Sequence, residues 1–186
     1  MPSGPNSLAI FKASGYKVDL RETKMILLTM LFLLASAAPR MIPIEDASLI
    51  GKTAPDIALE VSNGEQFSIG AHRGKPVILA FWASWCSPCR YELPALDKWV
   101  QDGAPVHLAA INVDRKQFAA KRFLSKIKFS QPIVWDPMAK AMGSYQIMSM
   151  PTIVLIDKEG TVRWVKVGYS REKGLTELKA QVDGLQ

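Results

Sequence analysis

Residues 75–83, Lys-Pro-Val-Ile-Leu-Ala-Phe-Trp-Ala, contain six consecutive apolar residues from Val77 to Trp82. A strand with one wet face alternates apolar and polar side chains; an unbroken run belongs to a strand covered on both faces. The chain must therefore supply layers above and below this segment. Short alternating runs at 54–61 and 65–70 flank Ser62-Asn63-Gly64, a hairpin signal. Residues 106–113 and 132–136 read as further strands, and 152–157 and 161–168 as a hairpin turning at Lys158-Glu159-Gly160.

Helices are expected between these strands. One should begin near Ser84 to Ser87, because Cys89, Leu93, Leu96 and Val100 form one apolar stripe, and Gly103 should end it. Asp114 is placed to cap a second helix, with Ala120, Phe123, Leu124 and Ile127 inward. A short helix within 137–147 should break at Gly143, and a last one should occupy 171–185. Strands alternating with helices and closing on a hairpin and a helix point to an α/β sandwich with a mixed central sheet.

The chain holds two cysteines, Cys86 and Cys89, where the buried strand gives way to a helix. A redox pair, half of a metal site and a structural staple all use such spacing. Structural zinc needs four ligands, and the remaining candidates, His72 and His107, lack paired spacing. Haem attachment requires histidine after the second cysteine, where Arg90 stands. A staple over so short a loop constrains little chain entropy. A helix N-terminus, by contrast, favours a thiolate. Cys86 is then the attacking nucleophile, and Cys89, one turn on, resolves the mixed disulfide. Pro88, which lacks an N–H, suits the first turn. A second reading stays open, a Cu(I)-binding metallochaperone module using both thiols and a methionine.

The N-terminus carries its own signal. Lys12, Lys17, Arg21 and Lys24 precede fourteen largely apolar residues, Met25 to Ala38. That run spans roughly 21 Å as a helix, short of the ~30 Å hydrocarbon core. With Ala35-Ser36-Ala37 it reads as a signal peptide or N-terminal membrane anchor over 1–38, followed by a linker at 39–49 and one domain at 50–186. The net charge of +6 is modest. Six basic residues without an acid between Arg115 and Lys128 read first as a solvated helix face, not a nucleic-acid site. Gly51-Lys52-Thr53 lacks the upstream glycine of a phosphate loop, since Asp46 stands there.

The segment FWASWCSPCRYELPAL, 81–96, resembles the active-site segment of thioredoxin-fold proteins. More narrowly, it is similar to the exported cytochrome c maturation thioredoxins and related membrane-tethered, TlpA-type periplasmic reductases. Ala54-Pro55-Asp56-Ile57 and Met150-Pro151 before an apolar strand extend the likeness from about Ile50 to the C-terminus. The resemblance implies a thioredoxin-like sandwich with an N-terminal β-hairpin extension and a redox-active Cys86–Cys89 disulfide. It implies no cofactor, protein thiol or disulfide substrates (apocytochrome c among them), a membrane electron donor and a periplasmic setting.

Glu92 lies three residues past Cys89 and leans toward it along a helix. Spacing alone also allows a solvated surface Glu; the resemblance implies a buried proton acceptor for Cys89. Ordinary thioredoxins carry a buried Asp six residues before the first cysteine, where this chain has Ala80. By the same likeness Pro151 is cis and frees the Met150 backbone to pair with a substrate strand. Trp85 is expected on the rim, Trp82 in the core, and Pro94 as a kink. Peroxidases of this fold have Thr or Ser where Ala83 stands.

Overall fold

The structure is a computed structural model and describes residues 49–185. The expected leader at 1–38 and all of the linker but Leu49 lie outside these residues. Among the described residues no helix is long and apolar enough to cross a membrane.

The elements follow the expected order. Strands β1 (Leu59–Glu60) and β2 (Gln66–Phe67) form a short antiparallel hairpin. Then come β3 (Val77–Trp82), α1 (Cys89–Gln101), β4 (His107–Asn112), α2 (Gln117–Leu124), β5 (Ile133–Trp135) and α3 (Lys140–Ser144). The chain ends with β6 (Thr152–Ile156), β7 (Val162–Val167) and α4 (Thr176–Asp183). The main sheet has the order β5-β4-β3-β6-β7. β3 runs parallel to β4 and antiparallel to β6, so the sheet is mixed.

Every residue of β3 is buried, as its composition requires. Val77, Leu79 and Phe81 face a core shared with Ile57, Leu59, Val61 and Phe67 of the N-terminal extension and with Tyr145. Ile78 and Ala80 face the other way, against Leu96 of α1 and Leu178 and Val182 of α4. Trp82, at the strand's end, joins a third cluster holding both cysteines, Leu93, Ala120 and Phe123. The hairpin extension thus closes one face of the sheet, and α1 and α4 cover the other.

Four local expectations are corrected. The first helix begins at Cys89, because Ser84 to Pro88 form turns. Asp114 caps nothing: α2 starts three residues later, and the Asp114 carboxylate is engaged elsewhere, as described below. Gly143 does not break α3, which runs through it and ends at Ser144; Asp136 fixes that helix instead, accepting bonds from the N–H groups of Lys140 (2.7 Å) and Met142 (3.0 Å). The last helix covers Thr176–Asp183, shorter than 171–185. Gly103, at φ +94°, does follow the end of α1, in the left-handed region that favours glycine.

Buried Tyr145 donates its hydroxyl to the Pro55 carbonyl at 2.7 Å and so ties α3 to the extension. Tyr145→Phe removes the donor and leaves that carbonyl unpaired, so it should cost ~1–2 kcal/mol of stability in urea unfolding. An unchanged midpoint would mean that this bond does not hold the extension.

Candidate active site

The C-terminal end of β3 delivers the chain to the cysteines, and Asp114, just past parallel β4, fixes the exit. Its Oδ2 accepts the Ser84 N–H at 2.8 Å and its Oδ1 the Ser84 hydroxyl at 2.9 Å. The Asn112 side-chain amide also donates to Oδ2, at 2.9 Å. The turn is thereby pinned two residues before Cys86, and the Cys86 N–H closes it on the Ala83 carbonyl at 3.1 Å.

Cys86 and Cys89 are joined as a disulfide. The Cys89 N–H, at the first residue of α1, points back to Cys86 Sγ at 3.3 Å. This is one of the N–H groups that a helix start leaves without an intrahelical partner, and it lies where negative charge on Cys86 would develop. Both sulfur residues are buried in this state, Cys86 at 3% exposure and Cys89 at 0%, so the first is only marginally the outer one. Trp85 projects into solvent at 70% exposure, whereas Trp82 is fully buried. Pro88 occupies the cap position of α1, and its carbonyl accepts the N–H groups of Tyr91 (3.0 Å) and Glu92 (3.2 Å). The helix runs on through Pro94.

Glu92 lies within α1, one turn past Cys89, and its side chain is buried at 1% exposure. Its Oε2 has no hydrogen-bond partner among the described residues. Burial pushes the Glu92 carboxyl up to about 8, with the Lys166 charge pulling in the opposite direction. An isolated buried carboxylate is costly, so near neutrality the acid is largely held in its neutral form. Tyr169 is the other titratable neighbour; its hydroxyl pKa is raised by burial first and by the Glu92 charge second.

The sheet register explains how Lys166 reaches this acid. Ala80 pairs with Ile153, and Ile153 with Lys166, so the three share one row across β3, β6 and β7. That row lies on the face covered by α1 and α4. Ala80 and Ile153 bring no acid to this row, and Lys166 is instead paired with Glu177 of α4. The pairing lowers the pKa of exposed Glu177.

Met150 and Pro151 approach from the loop before β6. The Met150–Pro151 peptide bond is cis. Met150 packs against the cluster that contains both cysteines, and the Pro151 carbonyl accepts the Gly168 N–H at 2.8 Å. Cys86, Cys89, Glu92, Pro88 and Met150–Pro151 therefore converge, with Trp85 at the edge. His72 and His107 do come together, rings 5.0 Å apart, but beside Val77, at the end of β3 remote from the cysteines.

Three residues of the site were not foreseen in these roles: Asp114, Lys166 and Tyr169. Lys166 had a legible signal, since it shares strand parity with inward-facing Trp164. Asp114 had none, because its partner Ser84 is thirty residues away and meets it through the parallel β3–β4 pair.

Known proteins show the same architecture. Residues 50–165 match the AhpC/TSA family. The thiol-disulfide oxidoreductase ResA of Geobacillus kaustophilus is 32% identical over 124 residues, covering 66% of this chain and 71% of that protein. The thioredoxin-like protein YneN of Bacillus subtilis is 32% identical over 137 residues, 72% of this chain and 79% of its own. Among solved structures, one described as a thiol:disulfide interchange protein DsbE from Chlorobium tepidum aligns with a TM-score of 0.67 and 31% identity. It covers 73% of this chain and 96% of that one.

The raised pKa of Glu92 has a stability signature. The folded protein keeps a proton that the unfolded chain releases between pH 4.5 and about 8. The contribution of Glu92 to stability is therefore greatest below pH 4.5, declines as pH rises through this window, and is flat above it. In the oxidised protein, Glu92→Gln should remove that part of the decline, giving a flatter melting temperature against pH. Parallel curves for the two proteins would show an ordinary carboxyl at this position.

Proposed function

We propose, starting from the fact that this chain belongs to the AhpC/TSA family and is a thiol–disulfide oxidoreductase of thioredoxin-like fold, that it reduces protein disulfides outside the cytoplasm. The observation that carries the mechanism is the buried, unpaired carboxyl of Glu92 one helical turn from the cysteine pair.

In the reduced protein the Cys86 thiolate, supported by the Cys89 N–H, attacks one sulfur of the substrate disulfide. A mixed disulfide forms and one substrate thiolate leaves. Cys89 gives its proton to the Glu92 carboxylate and attacks Cys86 Sγ. The Cys86–Cys89 bond re-forms, and the second substrate thiolate departs with the electron pair. Glu92 ends protonated, the form that its burial favours in the oxidised protein near neutral pH. A dithiol donor reverses these steps: it opens the disulfide at Cys86, and Glu92 returns its proton to the Cys89 thiolate.

Substrate recognition is assigned to Met150, Pro151, Trp85 and Pro88. Among the described residues the Met150 N–H and carbonyl have no backbone partner, which leaves both free to pair with an extended substrate segment. Exposed Trp85 gives that segment an apolar contact beside the sulfurs. Pro88, within the C-x-x-C loop, helps set the potential of the pair.

Placement outside the cytoplasm rests on the basic and apolar segments of 1–38, with 25–38 able to anchor the domain near a membrane electron donor. The pneumococcal exposed lipoprotein thioredoxin, 25% identical over 68% of this chain, is a relative consistent with that setting. Apocytochrome c, with its closely spaced haem-site cysteines, is the candidate substrate.

The equilibrium reduction potential of the 86–89 pair tests the direction. A reductase should lie near the thioredoxin value of about −270 mV, whereas a value near the roughly −120 mV of strong oxidants would reverse the assignment. Cys89→Ser should accumulate the mixed disulfide with a model substrate. Glu92→Gln should slow its resolution by on the order of 10²-fold while Cys86 alkylation changes much less. Equal resolution rates would remove Glu92 from the proton path.

A further inference from the structure

Beside the cysteines lies an open cleft of about 310 Å³, between the Ser84 turn and the outer side of α2. Arg90, Arg122 and Lys126 line it together with Phe118, and none of its lining residues is acidic. Among the described residues none of these three cations enters an ion pair. Asp114, which holds the Ser84 turn from the end of β4, already has both oxygens occupied by Ser84 and Asn112. Phe118 stands 74% exposed at the cleft, although it sits on a helix whose other aromatic residue, Phe123, is buried against Trp82.

A solvated helix face explains the lysines and arginines of 115–128, but not this arrangement. Such a face needs no exposed aromatic and no concavity. The cleft also begins two residues before Cys86 at Ser84 and includes Arg90, the residue after Cys89. A polypeptide held by its cysteine at the active site would lay its flanking residues here. Uncompensated positive charge around an apolar side chain suits carboxylates interspersed with apolar residues.

We propose that this cleft binds an acidic segment flanking the reactive cysteine of the protein substrate, with Arg90, Arg122 and Lys126 taking its carboxylates and Phe118 its apolar side chains. The assignment rests on the thiol-exchange reading above and adds a substrate preference to it. Because the cations are solvated, the preference is an electrostatic one that salt weakens. The same charge would also raise the rate of encounter with acidic partners.

The test uses the full chain and three disulfide peptides of equal length whose cysteine is flanked by Asp and Glu, by Gln, or by Lys. Wild type should turn over the acidic peptide with a kcat/KM roughly tenfold above the basic one at low salt. The ratio should approach one at ~0.5 M salt. Arg122→Glu with Lys126→Glu should invert the order; should that pair fail to fold, the wild-type salt dependence and Arg122→Gln still decide. Turnover of all three peptides at equal efficiency would overturn the cleft assignment alone. No turnover of any peptide would overturn the exchange reading, and this assignment with it. Loss of binding to phosphatidylglycerol vesicles in the charge-reversed protein, with the peptide preference intact, would make the cleft a lipid contact and also overturn the proposal.

Discussion

Strand β3 is hydrogen-bonded along both edges and covered on both faces, and the rest of the described domain is arranged to meet that demand. Its parallel partner β4 and antiparallel partner β6 satisfy the backbone groups, which a buried strand cannot leave unpaired. The N-terminal extension and α3 close one face, and α1 and α4 the other. Where the strand runs out at Trp82, the chain leaves the sheet by a turn held to Asp114, and the cysteines follow at once. The redox pair thus follows directly on a strand buried along its whole length, and its position is set by packing more than by local propensity.

Among the described residues the same enclosure leaves two buried side-chain polar atoms without a partner, Trp82 Nε1 and Glu92 Oε2, and only the second belongs to a group that can ionise at physiological pH. A carboxyl at position 92 faces inward because α1 presents one stripe to the sheet, and Cys89, Glu92, Leu93 and Leu96 all lie on it. In a purely structural helix this position would be apolar. An unpaired acid beside a disulfide has a chemical use, since it can hold or release a proton as a sulfur gains or loses charge. Lys166 moderates this without pairing fully: its ammonium is bound to Glu177, while its field still reaches Glu92. Ala80 and Ile153, both buried and apolar, add no charge to the row that ends at Lys166.

Much of this was legible in the residues. The unbroken apolar run gave β3, Ser62-Asn63-Gly64 gave the β1–β2 hairpin, and the C-x-x-C spacing at a strand-to-helix junction gave the sulfur chemistry. Glu92 was legible only as far as helical spacing allows, because burial depends on what packs over α1. Asp114 was misjudged for a physical reason: an Asp before a helical stripe looks like a cap, yet here the competing donors come from a neighbouring strand's exit turn. Gly143 failed as a breaker because Asp136 secures the start of its helix from outside. The two histidines met for a similar reason, since register across β3 and β4 brings together what sequence keeps apart.

What remains decisive is the charge state of one side chain. Carbon-detected NMR titration of the Glu92 carboxyl in the oxidised protein reads it directly, with Glu92→Gln identifying the signal. A midpoint close to 8 is the expected result. A midpoint near the ordinary 4.5 would mean that the acid is ionised and solvated at neutral pH, and the proton-handling account of the cysteine pair would be wrong.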